Sequence, residues 1–418
     1  MLWLIQAIEE SHLYWLAVQF YGIYPIVTSL IWITTALTYF YRHDLREQPD
    51  DDSFTPFVSI LTPAYYEEAS IASALRGLTS IDYPNYEVIV INDGSKDRTV
   101  ERVKPFLSDP RVRLLDKKFN EGKAMALNDA IPCAKGDLIL VMDADTIPEP
   151  QVLKVMVQHF RSPNVGAVAG NARVRNRNNW LSQLQAVEFS SVIGLLRRAQ
   201  RVWGRVMCVS GVCGMFRKDA LLQAGLYSPG MSTEDIDLTF KLQMNNFEIR
   251  YEPRALVWME VPEDVKVLWK QRCRWAVGLG QALKRHMSIL WTPRHYRLYP
   301  VYVESFLSVL WAWVFVAITC FWLIGMLFGH SPYGGSPFPN YWGVMIFACC
   351  LAQLLVGVLI DAKYERDIIY EFPYAIFYPC FYWMMMSLSS AIHSTKGFVK
   401  RLNLSAPVTW RLERQGAE

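Results

Sequence analysis

The sequence predicts an α/β domain on a mostly parallel, doubly wound sheet, inserted between membrane helices. Three observations carry this. Between about Pro56 and Arg254, short apolar runs alternate with helical patterns, the mark of βαβ units. The run Leu138 to Met142 (LILVM) is unbroken and ends in Asp143-Ala144-Asp145, as expected of a strand buried on both faces. The apolar excess, 52% of 418 residues, is concentrated at the two ends, while the middle reads like a soluble protein.

At the N-terminus, Leu2 to Ile8 is apolar but short, and Glu9 and Glu10 interrupt it; it reads as an interfacial helix. Tyr14 to Tyr41 is long enough to cross a bilayer, which takes roughly 20 apolar residues. No cleavage-site pattern follows, so it reads as a retained span. Arg42, His43 and Arg46 come next and by the positive-inside bias place the following domain in the cytoplasm. The first membrane segment is therefore residues 1–46, followed by an acidic linker, Glu47 to Asp52.

The soluble domain covers residues 56–290. VSILTPAYYEE is a strand running into a loop, and Ile71 to Leu78 is helical. Val88 to Ile91 is a second strand running into the turn NDGSKD. Thr99 to Leu107 is helical, Arg111 to Leu115 strand-like, and NEGKAMALNDAI opens another helix. LILVMDAD is the next strand and Gln151 to His159 the next helix. Trp180 to Trp203, with Arg197, Arg198 and Arg201, and Val265 to His286, with Trp269 and Trp275, are basic amphipathic stretches. Such helices suit the membrane surface; packing on the core with one face to solvent is the alternative.

The membrane region resumes over residues 299–395 with three apolar stretches: Tyr299 to Phe328, Tyr341 to Ile360 and Phe372 to Ile392. A Pro/Gly loop, HSPYGGSPFPN, separates the first two. A basic tail, residues 396–418, carries Lys396, Lys400, Arg401, Arg411 and Arg414. One span before the domain and three after it put this tail opposite the domain, yet its charge favours the cytoplasm. A re-entrant segment, or a further span formed with the first residues, would resolve the conflict, and the sequence does not decide between them.

The net charge of +3 implies no nucleic-acid polymer as partner. The eight cysteines have no zinc spacing, so a reduced, cytoplasmic domain is expected.

Five signals carry chemistry. Tyr65 and Glu67 lie at the tip of PAYYEE. Asp93 lies just after the second strand. Gly122-Lys123 opens a helix, where a cation and backbone N–H groups can meet phosphate. Asp143 and Asp145 sit at the carboxyl end of a buried strand, the edge where α/β sheets bind ligands. A hard divalent ion shared by carboxylates and substrate phosphates fits there; an acidic turn is the plainer alternative. Last come Thr233-Glu234-Asp235 and the QRCRW run, Gln271 to Trp275.

In this order the signals resemble the processive family-2 glycosyltransferases of the GT-A fold, over nearly the whole chain. VSGVCGMFRKDAL, MSTEDIDLTFKLQ and VPEDVKVLWKQRCRW look most like the bacterial poly-β-1,6-N-acetyl-D-glucosamine synthases of biofilm export. Hyaluronan, chitin and cellulose synthases share the motifs, and a non-processive lipid-carrier transferase is a further alternative. The resemblance implies an inverting transfer from UDP-GlcNAc to a growing polysaccharide at the bacterial inner membrane. It implies that Tyr65 stacks on uracil, that Glu67 and Asp93 bond the nucleoside, and that Lys123 lies near the nucleotide. Asp143 and Asp145 would bind Mg²⁺ or Mn²⁺ at the diphosphate. Asp235 would be the general base. Glu234, Gln271, Arg274 and Trp275 would serve the acceptor and the leaving diphosphate. It also implies a small two-span membrane subunit and activation by cyclic di-GMP.

Overall fold

A computed structural model describes residues 2–46, 50–330, 340–404 and 408. Residues 47–49 of the acidic linker, most of the Pro/Gly loop, and Arg411 and Arg414 of the tail lie outside them.

The soluble domain is one eight-stranded sheet: β1 (Val58–Ala64), β2 (Tyr86–Asp93), β3 (Val112–Lys117), β4 (Leu138–Met142), β5 (Ile147–Pro148), β6 (Val165–Val174), β7 (Cys213–Arg217) and β8 (Glu248–Met259). Their order across the sheet is β3-β2-β1-β4-β7-β6-β8-β5. The β3-β2-β1-β4 half is parallel throughout. Beyond it β7 runs antiparallel to both β4 and β6, and β5 antiparallel to β8, while β6 and β8 are parallel. The sheet is thus mostly parallel, as expected, and mixed through the reversed β7 and β5. The sequence hides this because a strand buried on both faces reads as an apolar run in either direction.

Alternate side chains of the central strands enter separate cores. Ile60, Val88 and Leu140 face one cluster; Leu61, Ile89 and Ile139 face the other. Each such side chain fully removed from water contributes about 1.5–3 kcal/mol. The first core also takes in Cys350, Leu354 and Val358 from the Asn340–Asp361 helix. The foot of a helix long and apolar enough to cross a membrane is therefore continuous with the core of the sheet domain.

Among the described residues, three helices are long and apolar enough to cross a membrane: His12–Asp44, Pro293–Leu327 and Trp342–Asp361. The third expected C-terminal span, Phe372 to Ile392, instead falls on two helices, Arg366–Ile376 and Tyr378–Val399, bent by 54°. Both ends of this pair touch the soluble domain. Glu371 lies 3.8 Å from Arg177, and Lys284 donates to the carbonyls of Val399 and Lys400. The bent pair thus has the form of a broken span or a re-entrant loop.

The stretch Trp180 to Trp203 is not a surface helix. Arg198 is fully buried and pairs with Asp44 (2.7 Å), at the end of the first span, and with Asp361 (2.8 Å), at the end of another. Arg173 of β6 joins Asp361 at 2.6 Å. Gly194 makes room for this seam: a Cβ there would lie 2.2 Å from Asp361 Oδ2.

Candidate active site

Strands β2, β1 and β4 are neighbours and parallel, so their carboxyl ends form one edge. The chain crosses from β3, on the far side of β2, to β4 on the other side of β1, and that reversal opens a crevice beyond the strand ends. Tyr65, Asp93 and Asp143 each follow or end one of these strands.

The loop after β1 is held in a costly shape. Tyr66 has φ +56°, a backbone region that bulky residues seldom adopt. Its N–H donates to Ser95 Oγ (3.1 Å), and the N–H of Ser95 donates to Asn92 Oδ1 (3.1 Å). The Tyr65 ring meets Tyr66 edge-on at 4.6 Å. Glu67 is almost fully buried; its N–H donates to Thr99 Oγ1 (2.9 Å), and its carboxylate accepts from Ser70.

Asp93 is fully buried. Its carboxylate accepts the N–H groups of Glu121 (3.1 Å) and Gly122 (2.8 Å), so it braces the loop that presents Lys123. Gly122 has φ +86°, a turn that glycine alone makes without strain.

Lys123 is ion-paired with Asp143 and lies 4.0 Å from Glu234. Burial opposes its charge, but Asp143 and Glu234 outweigh burial and hold it above the ordinary lysine range. Glu234 is pushed up by burial and by Asp235, against the pull of Lys123 and Arg274. Asp235 stands in the first turn of the Glu234–Met244 helix. Its carboxylate accepts from the Cys208 thiol at 3.3 Å and from the N–H of Ile236 at 2.9 Å.

The Val265–Arg285 helix, which carries QRCRW, closes this end of the site. Arg274 is exposed, and its guanidinium reaches the carbonyl of Ser232 at 3.5 Å. Gln281 accepts from the N–H of Ser232 (2.9 Å). A Cβ at Gly278 would lie 2.1 Å from Thr233 Oγ1, so the helix lies hard against the Thr233-Glu234-Asp235 turn. Gln271 and Trp275 are half-buried on the same helix. Arg272 lies 4.2 Å from the Trp275 ring and pairs with buried Glu188 (2.7 Å), which Tyr382 also donates to (2.6 Å).

The structure thus gathers Lys123, Asp143, Glu234, Asp235 and Arg274 at one edge. Three residues that the motifs did not single out support them. Asp237, buried, anchors the turn to His286 (2.8 Å) and Arg285 (3.1 Å); its place two residues after Asp235 was the only hint. Arg272 ties the QRCRW helix to the bent segment, and Cys208 faces Asp235; nothing in their spacing announces either.

Among the described residues, no three His, Cys, Asp or Glu side chains form a cation cage. The residues nonetheless fit a divalent ion of the kind that takes one or two carboxylates and the rest of its shell from substrate phosphate and water. Asp143 is partly open to solvent and already draws a cation, Lys123, and Asp145 is two residues away.

Comparison with known proteins agrees with this geometry. The family described as "Glycosyltransferase like family 2" matches residues 56–278. A poly-β-1,6-N-acetyl-D-glucosamine synthase of Staphylococcus epidermidis is 33% identical over 90% of this chain and 94% of its own. Its namesake in Staphylococcus aureus strain COL is 31% identical over 87% and 90%. The mannosyltransferase PcManGT of Pyrobaculum calidifontis, solved with GDP-mannose and Mn²⁺, superposes with a TM-score of 0.62 at 20% identity, over 90% of this chain and 97% of that one; it bears on the fold, a GT-A-like mixed sheet. With its matched residues spanning β1 to the QRCRW helix, the chain belongs to the family 2 glycosyltransferases.

Proposed function

We propose that this glycosyltransferase moves N-acetylglucosamine from UDP-GlcNAc to the end of a growing β-1,6-linked polysaccharide and passes the product across the bacterial inner membrane. The names of the two staphylococcal relatives support the sugar and linkage. The observation that carries the reaction type is the meeting of Asp235 with the Lys123–Asp143–Glu234 group beneath Arg274.

Tyr65 and Glu67 receive the nucleoside at the loop after β1, on the platform that Asp93 braces. Asp235 takes the proton of the acceptor hydroxyl as that oxygen bonds to the anomeric carbon. The bond from that carbon to the diphosphate breaks in the same step, and its electron pair leaves with UDP. Lys123 and Arg274 face the charge that develops there. Mg²⁺ or Mn²⁺, held by Asp143 and Asp145, supplies further neutralisation of the leaving diphosphate when bound. One displacement inverts the centre, so an α-linked donor yields a β-linked product. Trp275, with Gln271 on the same helix, offers a face to the acceptor sugar.

Arg42, His43 and Arg46 after the first span support a cytoplasmic domain. A two-span partner subunit and cyclic di-GMP activation rest on the family resemblance.

Asp235→Asn tests the base. The variant keeps a hydrogen-bond acceptor at the helix start, so it should fold, bind UDP and lose roughly 10²- to 10⁴-fold in rate. Turnover at the wild-type level would remove Asp235 from the role.

A further inference from the structure

Where two of the candidate spans end, a cleft of about 550 Å³ opens against the sheet domain. His43 and Arg46 line it from the end of the His12–Asp44 helix and just after it. Lys363 and Tyr364 line it from just beyond the Trp342–Asp361 helix, and Glu252 and Arg254 from β8. The negative charges of the cleft are already taken. Asp44, also in its wall, pairs with buried Arg198 at 2.7 Å. Glu252 is almost fully buried and takes His159 (3.1 Å) and Arg254 (2.9 Å). Arg254 is further matched by Asp50 at 3.0 Å.

Two positive charges remain, on Arg46 and Lys363, and both side chains are exposed. Lys363 donates to the backbone carbonyl of Asp44, which is neutral. Among the described residues, neither Arg46 nor Lys363 forms an ion pair with a carboxylate. Two like charges in the wall of one cleft repel each other, and an anion between them reverses the sign of that interaction. The position selects the anion. A basic pocket between membrane helices, at the level where they leave the bilayer on the cytoplasmic side, is where phosphate head groups are held. A guanidinium and an ammonium group both bind phosphate well.

We propose that this cleft binds a phosphate group between Arg46 and Lys363, carried by an acidic phospholipid of the cytoplasmic leaflet or by a soluble phosphate ester. The inference rests on the cytoplasmic placement of the sheet domain given above. The ligand touches the ends of two candidate spans and β8 at once. It lies beside the seam in which Arg198 joins Asp44 to Asp361, so its binding fastens both helices to the sheet that carries the active site.

The test compares the full-length wild type with Arg46→Gln/Lys363→Gln in two arms. In the first, the chain sits in nanodiscs of phosphatidylcholine with a stepped fraction of phosphatidylglycerol, and native mass spectrometry counts the retained lipid. In the second, the discs hold phosphatidylcholine alone, UDP fills the donor site, and inorganic phosphate is titrated at constant ionic strength while thermal unfolding is followed. The double variant should lose about tenfold or more of the wild-type affinity, since each basic side chain contributes separately to anion binding at the membrane surface. Arg46→Gln alone, at a side chain with no ion pair to lose, should fold normally and lose about fivefold. Lys104→Gln with Lys135→Gln, exposed elsewhere on the domain, should behave as the wild type. A lost preference for phosphatidylglycerol assigns the phosphate to lipid, and a lost phosphate response alone assigns it to a soluble ester. A wild type with neither response, or variants that keep both, would overturn the proposal; an acidic protein segment filling the cleft gives that same result. A chain that stays outside the discs would overturn the membrane placement instead, and the phosphate titration in detergent would still decide the cleft.

Discussion

Gly278→Ala probes how tightly the QRCRW helix holds the catalytic turn. The added Cβ would lie 2.1 Å from Thr233 Oγ1, 2.5 Å from Cγ2 and 2.7 Å from Cβ. Rotating the Thr233 side chain relieves only the first two contacts, since its Cβ moves with the backbone. Reaching even 3.0 Å from all three requires a shift of several tenths of an ångström, and up to about 0.9 Å if the hydroxyl keeps its place. Thr233 directly precedes Glu234 and Asp235, so the shift is passed to the proposed base. Overpacking costs about 1–3 kcal/mol, while alanine gains about 1 kcal/mol over glycine within a helix. Stability should therefore change by about 2 kcal/mol or less. A misplacement near 1 Å costs about 10²-fold in rate, and kcat should fall by 10- to 100-fold. UDP affinity should hold, because the proposed nucleoside platform lies on β1 and β2. The assay is polymer synthesis with labelled donor, alongside UDP titration and thermal unfolding. Wild-type kcat would refute the reasoning, and so would lost UDP binding in a folded protein.

Three further outcomes follow from particular contacts. Asp361→Ala leaves Arg173 and Arg198 buried with fewer partners, which should cost about 3–5 kcal/mol; thermal unfolding in detergent reads it, and an unchanged midpoint would mean that the seam carries no stability. Glu252 is held down to about 2, where burial alone would raise it, by hydrogen bonds from His159 and Arg254. A depressed carboxyl contributes stability above its unfolded value near 4.3 and loses it as pH falls towards 2, roughly 3 kcal/mol in all. Glu252→Gln should flatten stability between pH 5 and 3, and an equal acid response in both proteins would exclude this pair. Trp275→Ala should shorten the polymer and leave UDP binding intact; normal chain length would show that the ring serves only to pack Arg272.

Much of the site was legible because three strands announce themselves. The apolar runs Val88 to Ile91 and Leu138 to Met142, and the strand pattern VSILTPA, stop just before Asn92-Asp93, Asp143 and Tyr65, and reveal both the strands and the edge that they share. The antiparallel β7 was not legible, because CGMFR carries no mark of direction. The buried arginines misled for a different reason. Arg197, Arg198 and Arg201 look solvated until their partners are known, and Asp44 and Asp361 lie more than 150 residues away in sequence from Arg198. The Phe372 to Ile392 stretch has the hydropathy of a span, but Glu371 before it and the carbonyls of Val399 and Lys400 after it are held by Arg177 and Lys284 of the soluble domain, and the segment bends. Lys123 was expected beside the nucleotide; its pairing with Asp143 depends on how the Gly122 turn meets β4, which spacing alone does not set.

The most direct test is product analysis with the purified full chain in lipid, supplied with labelled UDP-GlcNAc and Mg²⁺ or Mn²⁺. The account predicts a long N-acetylglucosamine polymer with β-1,6 linkages, formed by the wild type and absent with Asp235→Asn. A single sugar on a lipid carrier, a β-1,4-linked chain, or the same polymer from the Asp235→Asn protein would contradict it.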